Sequence, residues 1–99
     1  MLNSASGLID WESSFVVTDQ QITSQLGDES VILALNEGIY YGLDEIGTWI
    51  WTQLQSPRSI NEICDNLAQD FDVERATCGE AVTALLQDME ARGLLERSP

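Results

Sequence analysis

The sequence predicts an α+β domain in which a three-stranded antiparallel β-sheet is followed by three α-helices, an arrangement like a winged helix-turn-helix. Three observations support this prediction. Short strand-like segments separated by turn residues fill residues 22–43. From Asp44 onwards the apolar spacing changes from about two residues to about 3.6. Helix-start and helix-stop signals then divide the second half into three helical segments.

The predicted sheet ends in a β-hairpin. Residues 22–26 form a first strand, and a turn at residues 27–29 leads into the uninterrupted apolar run 31–35. Apolar residues on both faces of that run indicate a central strand with helices over one face. Residues 36–38 supply a turn with a glycine suited to positive φ, and the return strand is Ile39–Leu43. Consecutive strands of this kind pair as a meander in sequence order.

Capping residues and apolar stripes locate the helices. Asp44 is a suitable N-cap for the first helix, which residues 56–57, Ser-Pro, should end. Its predicted inner stripe is Ile46, Trp49, Ile50 and Leu54, with Trp49 in the core and the position of Trp51 left open. A capping box at residues 59–62 begins the second helix.

The third helix is predicted from near Glu74 to Arg92, with Gly93 as the residue that follows its C-cap. Leu94 and Leu95 should then fold back against the core. The short turn between the second and third helices favours the comparison with a winged helix-turn-helix.

The chain of 99 residues is long enough for one domain. We assign residues 15–99 to it, with residues 15–18 able to be extended, and residues 1–14 to a flexible N-terminal segment that Trp11 and Phe15 could pin. No apolar run approaches the roughly 20 residues of a membrane span, and the N-terminus lacks the basic and apolar regions of a signal peptide. The cytoplasm is therefore the expected location, with no membrane partner.

Charge is the most unusual property of the composition. Seventeen acidic residues face four basic ones, all arginines, which gives a net charge of −13, and the first basic residue is Arg58. Such a surface repels nucleic acid and anionic lipid and attracts basic partners, although it can also serve solubility alone. The third helix itself carries more acids than bases, so no nucleic-acid partner is expected.

The residue inventory argues against catalysis. The chain has no histidine, and its two cysteines, Cys64 and Cys78, lie on the apolar stripes of predicted helices. Buried, non-catalytic thiols are expected, because a cysteine nucleophile and a zinc site both need further partners. We predict no catalytic residue, no metal site and no cofactor.

Two segments carry a resemblance to a known family. Residues 40–51, YYGLDEIGTWIW, and residues 92–96, RGLLE, resemble the PqqD family in order and spacing, and the likeness extends over roughly residues 15–96. The resemblance implies a recognition element for ribosomally made, post-translationally modified peptides (RiPPs), as in pyrroloquinoline quinone or lasso peptide pathways. The implied partners are the leader segment of a precursor peptide and a downstream leader peptidase, cyclase or radical SAM enzyme.

The resemblance also implies where a leader would bind, namely as an added strand on the third strand, in a groove beside the third helix. The last strand of a meander is an edge, which suits strand addition. Small side chains on the helix would leave room for the ligand, and Asp88 could meet a basic residue. The candidate binding residues are Ile39, Tyr40, Tyr41, Gly42, Leu43, Ala81, Ala84, Leu85 and Asp88. Tyrosines are also common in strands, and Leu85 could belong to the core.

Two other classes of protein stay open on the sequence alone. Small acidic carrier proteins attach a prosthetic arm to a serine at a helix start, and residues 27–31, GDESV, are faintly similar. A winged-helix module that binds another protein is the second alternative.

Overall fold

The computed structural model describes residues 10–98. These residues form two antiparallel sheets and three helices, so the α+β class is confirmed. The elements in chain order are β1 (Ser14–Val17), β2 (Gln21–Leu26), β3 (Glu29–Ala34), β4 (Ile39–Leu43), α1 (Glu45–Gln53), β5 (Arg58–Ser59), α2 (Ile60–Asp70), α3 (Arg75–Ala91) and β6 (Leu95–Ser98).

The predicted meander is present as the sheet β2-β3-β4. In its register Ile32 lies between Thr23 and Tyr41, and Ala34 pairs with Ile39. Gly38 has a φ of 67° in the turn before β4, the positive value for which a glycine was expected there. The meander order makes β4 an edge strand, which is the feature that the candidate site needs.

The prediction of one sheet followed by helices is wrong. A second sheet, in the order β5-β1-β6, joins the start of the described chain to its end. Ser14 pairs with both Ser59 and Ser98 in this sheet. Two of its strands escaped the sequence analysis because β5 has only two residues and β6 continues as Glu-Arg-Ser, so neither shows a strand-length apolar pattern.

The helix termini follow the predicted chemistry. The Asp44 side chain accepts a hydrogen bond from the backbone N–H of Gly47 at 2.8 Å, which caps α1. The capping box of α2 is complete, since Ser59 and Glu62 each accept from the other's backbone. Gly93 follows α3 with a φ of 77°.

The inner stripe predicted for α1 is partly wrong. Ile50 and Leu54 are buried, but Ile46 is 42% exposed, and Trp49 is half-buried with an edge-to-face contact to Phe71 at 5.9 Å between ring centroids. Trp51 is the tryptophan of α1 that enters the core, 3% exposed. Its indole N–H donates to the Thr23 hydroxyl at 3.1 Å, which ties α1 to the inner face of the meander.

A segment before β1 packs on the helices. The Trp11 ring lies so close to Gly79 of α3 that a side chain there would overlap it, and the Trp11 carbonyl accepts from the Asn61 backbone N–H at 3.0 Å. Residues 1–9, most of the segment predicted to be flexible, lie outside the described residues. That prediction therefore stays a prediction.

Within the part of the chain that the structure describes, the meander has one covered face and one open face. Ser30, Ile32 and Ala34 point inwards and are buried, and the Ser30 and Thr48 hydroxyls are hydrogen-bonded at 2.8 Å. The alternate residues form an apolar row across the opposite face, in which Ile22 and Tyr40 are 56% and 69% exposed on either side of Leu33. Within residues 10–98, no helix combines the length and the apolar character that a bilayer crossing requires.

Candidate functional site

The free edge of β4 offers backbone hydrogen-bonding groups. Leu35 donates its N–H to Gln20 on the β2 side, whereas the Ala34 carbonyl accepts from Gly38 on the β4 side. Backbone groups alternate in direction along a strand, so the groups of Ile39, Tyr41 and Leu43 face β3. Tyr40 and Gly42 therefore direct their N–H and C=O groups outwards, as strand addition requires.

An open groove lies beside this edge. It has a volume of about 810 Å³ and lies among the end of β4, α1, the end of α2 and the first half of α3. Its wall is mostly apolar or small, and its lining residues are Gly42, Leu43, Asp44, Ile46, Gly47, Ile50, Leu67, Val73, Glu74, Thr77, Cys78, Ala81, Val82 and Leu85. A channel of this composition can take extended chain with apolar side chains.

The structure brings together only some of the residues that the sequence singled out. Gly42, Leu43, Ala81 and Leu85 line the groove. Leu85 is half-buried, packs against the core and also lines the groove, so its role in binding stays a prediction. The remaining candidates lie outside the lining: Ile39, Tyr40, Tyr41, Ala84 and Asp88.

Tyr41 and Arg92 connect β4 to the end of α3. Arg92 donates to the Tyr41 hydroxyl at 2.5 Å, and its guanidinium lies 4.8 Å from the ring centroid. The Tyr41 hydroxyl donates to Glu37 at 2.8 Å. Desolvation, followed by the hydrogen bond to Glu37, raises the pKa of Tyr41. These contacts join the strand to the helix beyond the groove, on the side towards Asp88.

Asp88 already has a cationic partner. Arg92, the C-cap residue of α3, donates from its Nε to Asp88 Oδ1 at 3.1 Å, one turn earlier. This hydrogen bond is the main reason that the pKa of Arg92 is raised. Asp88 is therefore poorly placed as a bare carboxylate for a basic ligand residue. The sequence missed this pairing because Arg92 was assigned only to the end of the helix.

Several lining residues were not among the sequence-based candidates. Ile46 was assigned to the core stripe, and Val73 to the connection between helices. Asp44 and Glu74 lie at the N-termini of α1 and α3. Asp44 caps its helix through the side chain, whereas Glu74 makes no capping hydrogen bond and only its charge suits the helix start. A helix start that immediately follows an edge strand was the available signal for Asp44 and Ile46.

The two thiols lie against each other between α2 and α3. Cys64 and Cys78 are both free and buried, as predicted, and Cys78 also lines the groove. Burial, followed by the hydrogen bond with Cys78, raises the pKa of the Cys64 thiol from 9.0 to about 12. That change disfavours the thiolate, the reactive form. In the described part of the chain, no group of three or more histidine, cysteine or acidic side chains is arranged to hold a metal ion.

The carrier-protein alternative loses its candidate serine. Ser30 belongs to β3 rather than to a helix start, it is 2% exposed, and its hydroxyl is hydrogen-bonded to Thr48. A prosthetic arm could not be attached there without opening the sheet.

One family model and two solved structures are similar to this chain. The sequence model of the family "Coenzyme PQQ synthesis protein D (PqqD)" matches residues 29–95. A solved structure described as TbiB1 in complex with the TbiA(beta) leader peptide is 31% identical, with a TM-score of 0.76, over 82% of this chain and 94% of that one. A lasso peptide synthetase B1 complexed with its leader peptide is 21% identical, with a TM-score of 0.73, over 83% of this chain and 96% of that one, a likeness of fold. No curated protein matches the sequence.

Proposed function

The chain belongs to the PqqD family, and on this premise we propose that it binds the leader segment of a ribosomally made precursor peptide and presents it to a modifying enzyme or leader peptidase. The observation that carries the proposal is the outer edge of β4, which pairs with no strand within residues 10–98, beside an apolar groove. An added strand gains main-chain hydrogen bonds from the edge, and its side chains gain specificity from the groove. The proposed setting is the cytoplasm.

The binding residues fall into two groups in this proposal. Ile39, Tyr40, Tyr41, Gly42 and Leu43 supply the edge, with Tyr40 and Gly42 making the backbone bonds. Ala81 and Leu85 line the facing helix wall, whereas Ala84 and Asp88 border it. The lining is largely apolar, which suits binding rather than bond-making, and we propose a non-catalytic role. When a peptide occupies the groove, the exposed apolar face of the meander is still available. In this proposal that face contacts the enzyme that receives the peptide.

We further propose that the helices and the sheet β5-β1-β6 form a unit like a winged helix-turn-helix. In support, β5 precedes α2, β6 follows α3, and both strands pair with β1. DNA binding is not part of this proposal, since the acids of α3 outnumber its bases. Retention of the protein on random duplex DNA at low salt would contradict that exclusion.

Proline substitution at the edge tests strand addition directly. Tyr40→Pro removes an N–H that points away from β3, so the internal ladder should survive. We expect leader affinity to fall about tenfold, because the peptide loses one backbone hydrogen bond and the proline ring displaces the adjacent one. Tyr40→Ala controls for the side chain, and Gln25→Pro makes the matched change on the opposite edge, β2. Both controls should bind normally.

Amide chemical shifts test the location. The probes are the TbiA(beta) leader peptide and peptides selected on this protein from a displayed library of about 15 random residues, long enough for one strand and its flanks. We expect perturbations along β4 and the first half of α3. Perturbations confined to β2 would show that the peptide uses the other edge, and failure of every probe to bind would overturn the proposed function.

A further inference from the structure

We infer that the contact between Arg92 and Tyr41, here called the Arg92–Tyr41 bridge, is a positioning contact for the proposed peptide site. The bridge closes one end of the groove and holds the β4 edge at a set distance from α3. One peptide can then pair with the edge and reach the helix wall at the same time. This inference rests on the proposed function and adds the residues that give the groove its selectivity for apolar side chains.

Three kinds of contact hold the bridge together. Arg92 donates to the Tyr41 hydroxyl at 2.5 Å, and its guanidinium lies over the Tyr41 ring, 4.8 Å from the centroid. The remaining contacts are ionic, since Arg92 Nε donates to Asp88 at 3.1 Å and the guanidinium lies 4.0 Å from Glu37. A planar guanidinium that stacks on a ring and donates in several directions is held in one orientation. The bridge is therefore a defined spacer between strand and helix.

The end of α3 from which Arg92 projects is itself anchored. The carbonyl of the next residue, Gly93, accepts a hydrogen bond from the Thr18 hydroxyl at 2.6 Å, and Leu94 is 1% exposed. The Thr18 backbone N–H also donates to the Leu94 carbonyl, at 3.0 Å. Because these contacts fix the helix end independently of β4, the bridge sets the position of the strand rather than that of the helix.

The strand β4 is held at two points, and the groove lies beside it. At its C-terminal end the Thr48 hydroxyl of α1 donates to the Leu43 carbonyl at 3.3 Å, and two residues earlier Tyr41 contacts Arg92. A strand added to β4 directs alternate side chains to the inner side of the sheet, where Tyr41 and Leu43 point. The peptide side chain opposite Leu43 reaches Leu85 only if the separation of β4 from α3 suits its length. Loss of the bridge should therefore weaken contact with the wall while the backbone bonds to the edge remain.

A comparison of two peptides separates wall contact from edge pairing. Peptides of about 15 random residues are selected on the unaltered protein, and nuclear Overhauser effects identify the peptide side chain that contacts Leu85. Replacement of that side chain by Ala should weaken binding to the unaltered protein about tenfold, the scale for removing an apolar group from an open groove. In Arg92→Gln the same replacement should weaken binding only about threefold, because the wall is no longer preorganised. The affinity of the Ala peptide, which depends mainly on the edge, should change little.

Arg97 supplies a matched control. Its guanidinium pairs with Glu90 of α3 at 3.0 Å and lies 5.1 Å from the Phe15 ring centroid, so it makes the same kinds of contact in the other sheet, outside the groove. Arg97→Gln should leave the difference between the two peptides unchanged. Tyr41→Phe keeps the ring and removes the hydroxyl, so it should reduce this difference in part and have little further effect once Arg92 is replaced. Melting curves establish that each variant is folded.

Three outcomes would overturn the inference. In the first, Arg92→Gln keeps the full difference between the two peptides. In the second, it weakens both peptides by the same factor, as a general loss of stability would. In the third, Arg97→Gln reduces the difference as much as Arg92→Gln does. In all three cases peptides still bind at the groove, so the proposed function stands. Failure to select any peptide that contacts Leu85 would instead contradict the proposed function, and the inference with it.

Discussion

Gly79 shows how a single missing side chain positions the segment before β1. A Cβ atom at this position would overlap the Trp11 ring. Ala is normally better than Gly inside a helix by about 1 kcal/mol, but here we expect Gly79→Ala to lower the free energy of unfolding by about 1–3 kcal/mol, the cost of overpacking. Denaturant titration measures this. In a Trp11→Ala background the same change should become stabilising, and a still-destabilising effect there would contradict the explanation.

Cys64 gives a prediction that depends on pH. Its thiol has a pKa of about 12 in the folded protein against 9.0 when unperturbed. The unfolded chain therefore loses the proton first as pH rises, so the stabilisation is complete below about pH 9 and is lost between about pH 9 and 12. We expect the free energy of unfolding to fall more steeply across this interval than it does in Cys64→Ala. Parallel curves for the two proteins would show that the thiol is not responsible.

Among the elements, α3 has an N-terminus that is not optimised for stability. Glu74 is its N-cap residue, yet its side chain makes no capping hydrogen bond. Glu74→Ser should raise the free energy of unfolding by about 1 kcal/mol through a side-chain cap. Measured stability equal to or below that of the unaltered protein would show that Glu74 already caps the helix adequately.

The elements also show what local pattern could predict and what it could not. The hairpin before Asp44, the capping box at Ser59 and the glycine after α3 are decided by neighbours in sequence, and the structure confirms them. The partners of β1 lie more than 40 residues away at Ser59 and Ser98, beyond the range of local pattern. α1 was misassigned because two of its surfaces are apolar, one facing the core through Trp51 and one facing the groove through Ile46. Which apolar surface packs on the core and which lines the groove depends on tertiary packing, which periodicity does not encode.

At the scale of the whole molecule, the net charge of −13 opposes compaction. Because salt screens repulsion among exposed carboxylates, the free energy of unfolding should rise between about 20 mM and 300 mM NaCl near neutral pH. Denaturant titrations at each salt concentration measure this. Near the isoelectric point, about 4.1, the same salt series should have little effect, which separates charge screening from other actions of salt. If the free energy of unfolding did not change with salt at neutral pH, the four arginines would already offset the repulsion among the carboxylates.

The pairing of β1 with β6 has a consequence for how the domain can be joined to other chains. Ser14 and Ser98 are direct neighbours in the sheet β5-β1-β6, although they lie at opposite ends of the described sequence. A polypeptide that enters the domain at β1 therefore leaves it at nearly the same point in space. Such a unit can be placed within a surface loop of a larger protein without separating the two halves of its host. The β4 edge belongs to the other sheet, and neither β1 nor β6 contributes a residue to the groove, so both would stay accessible in that architecture.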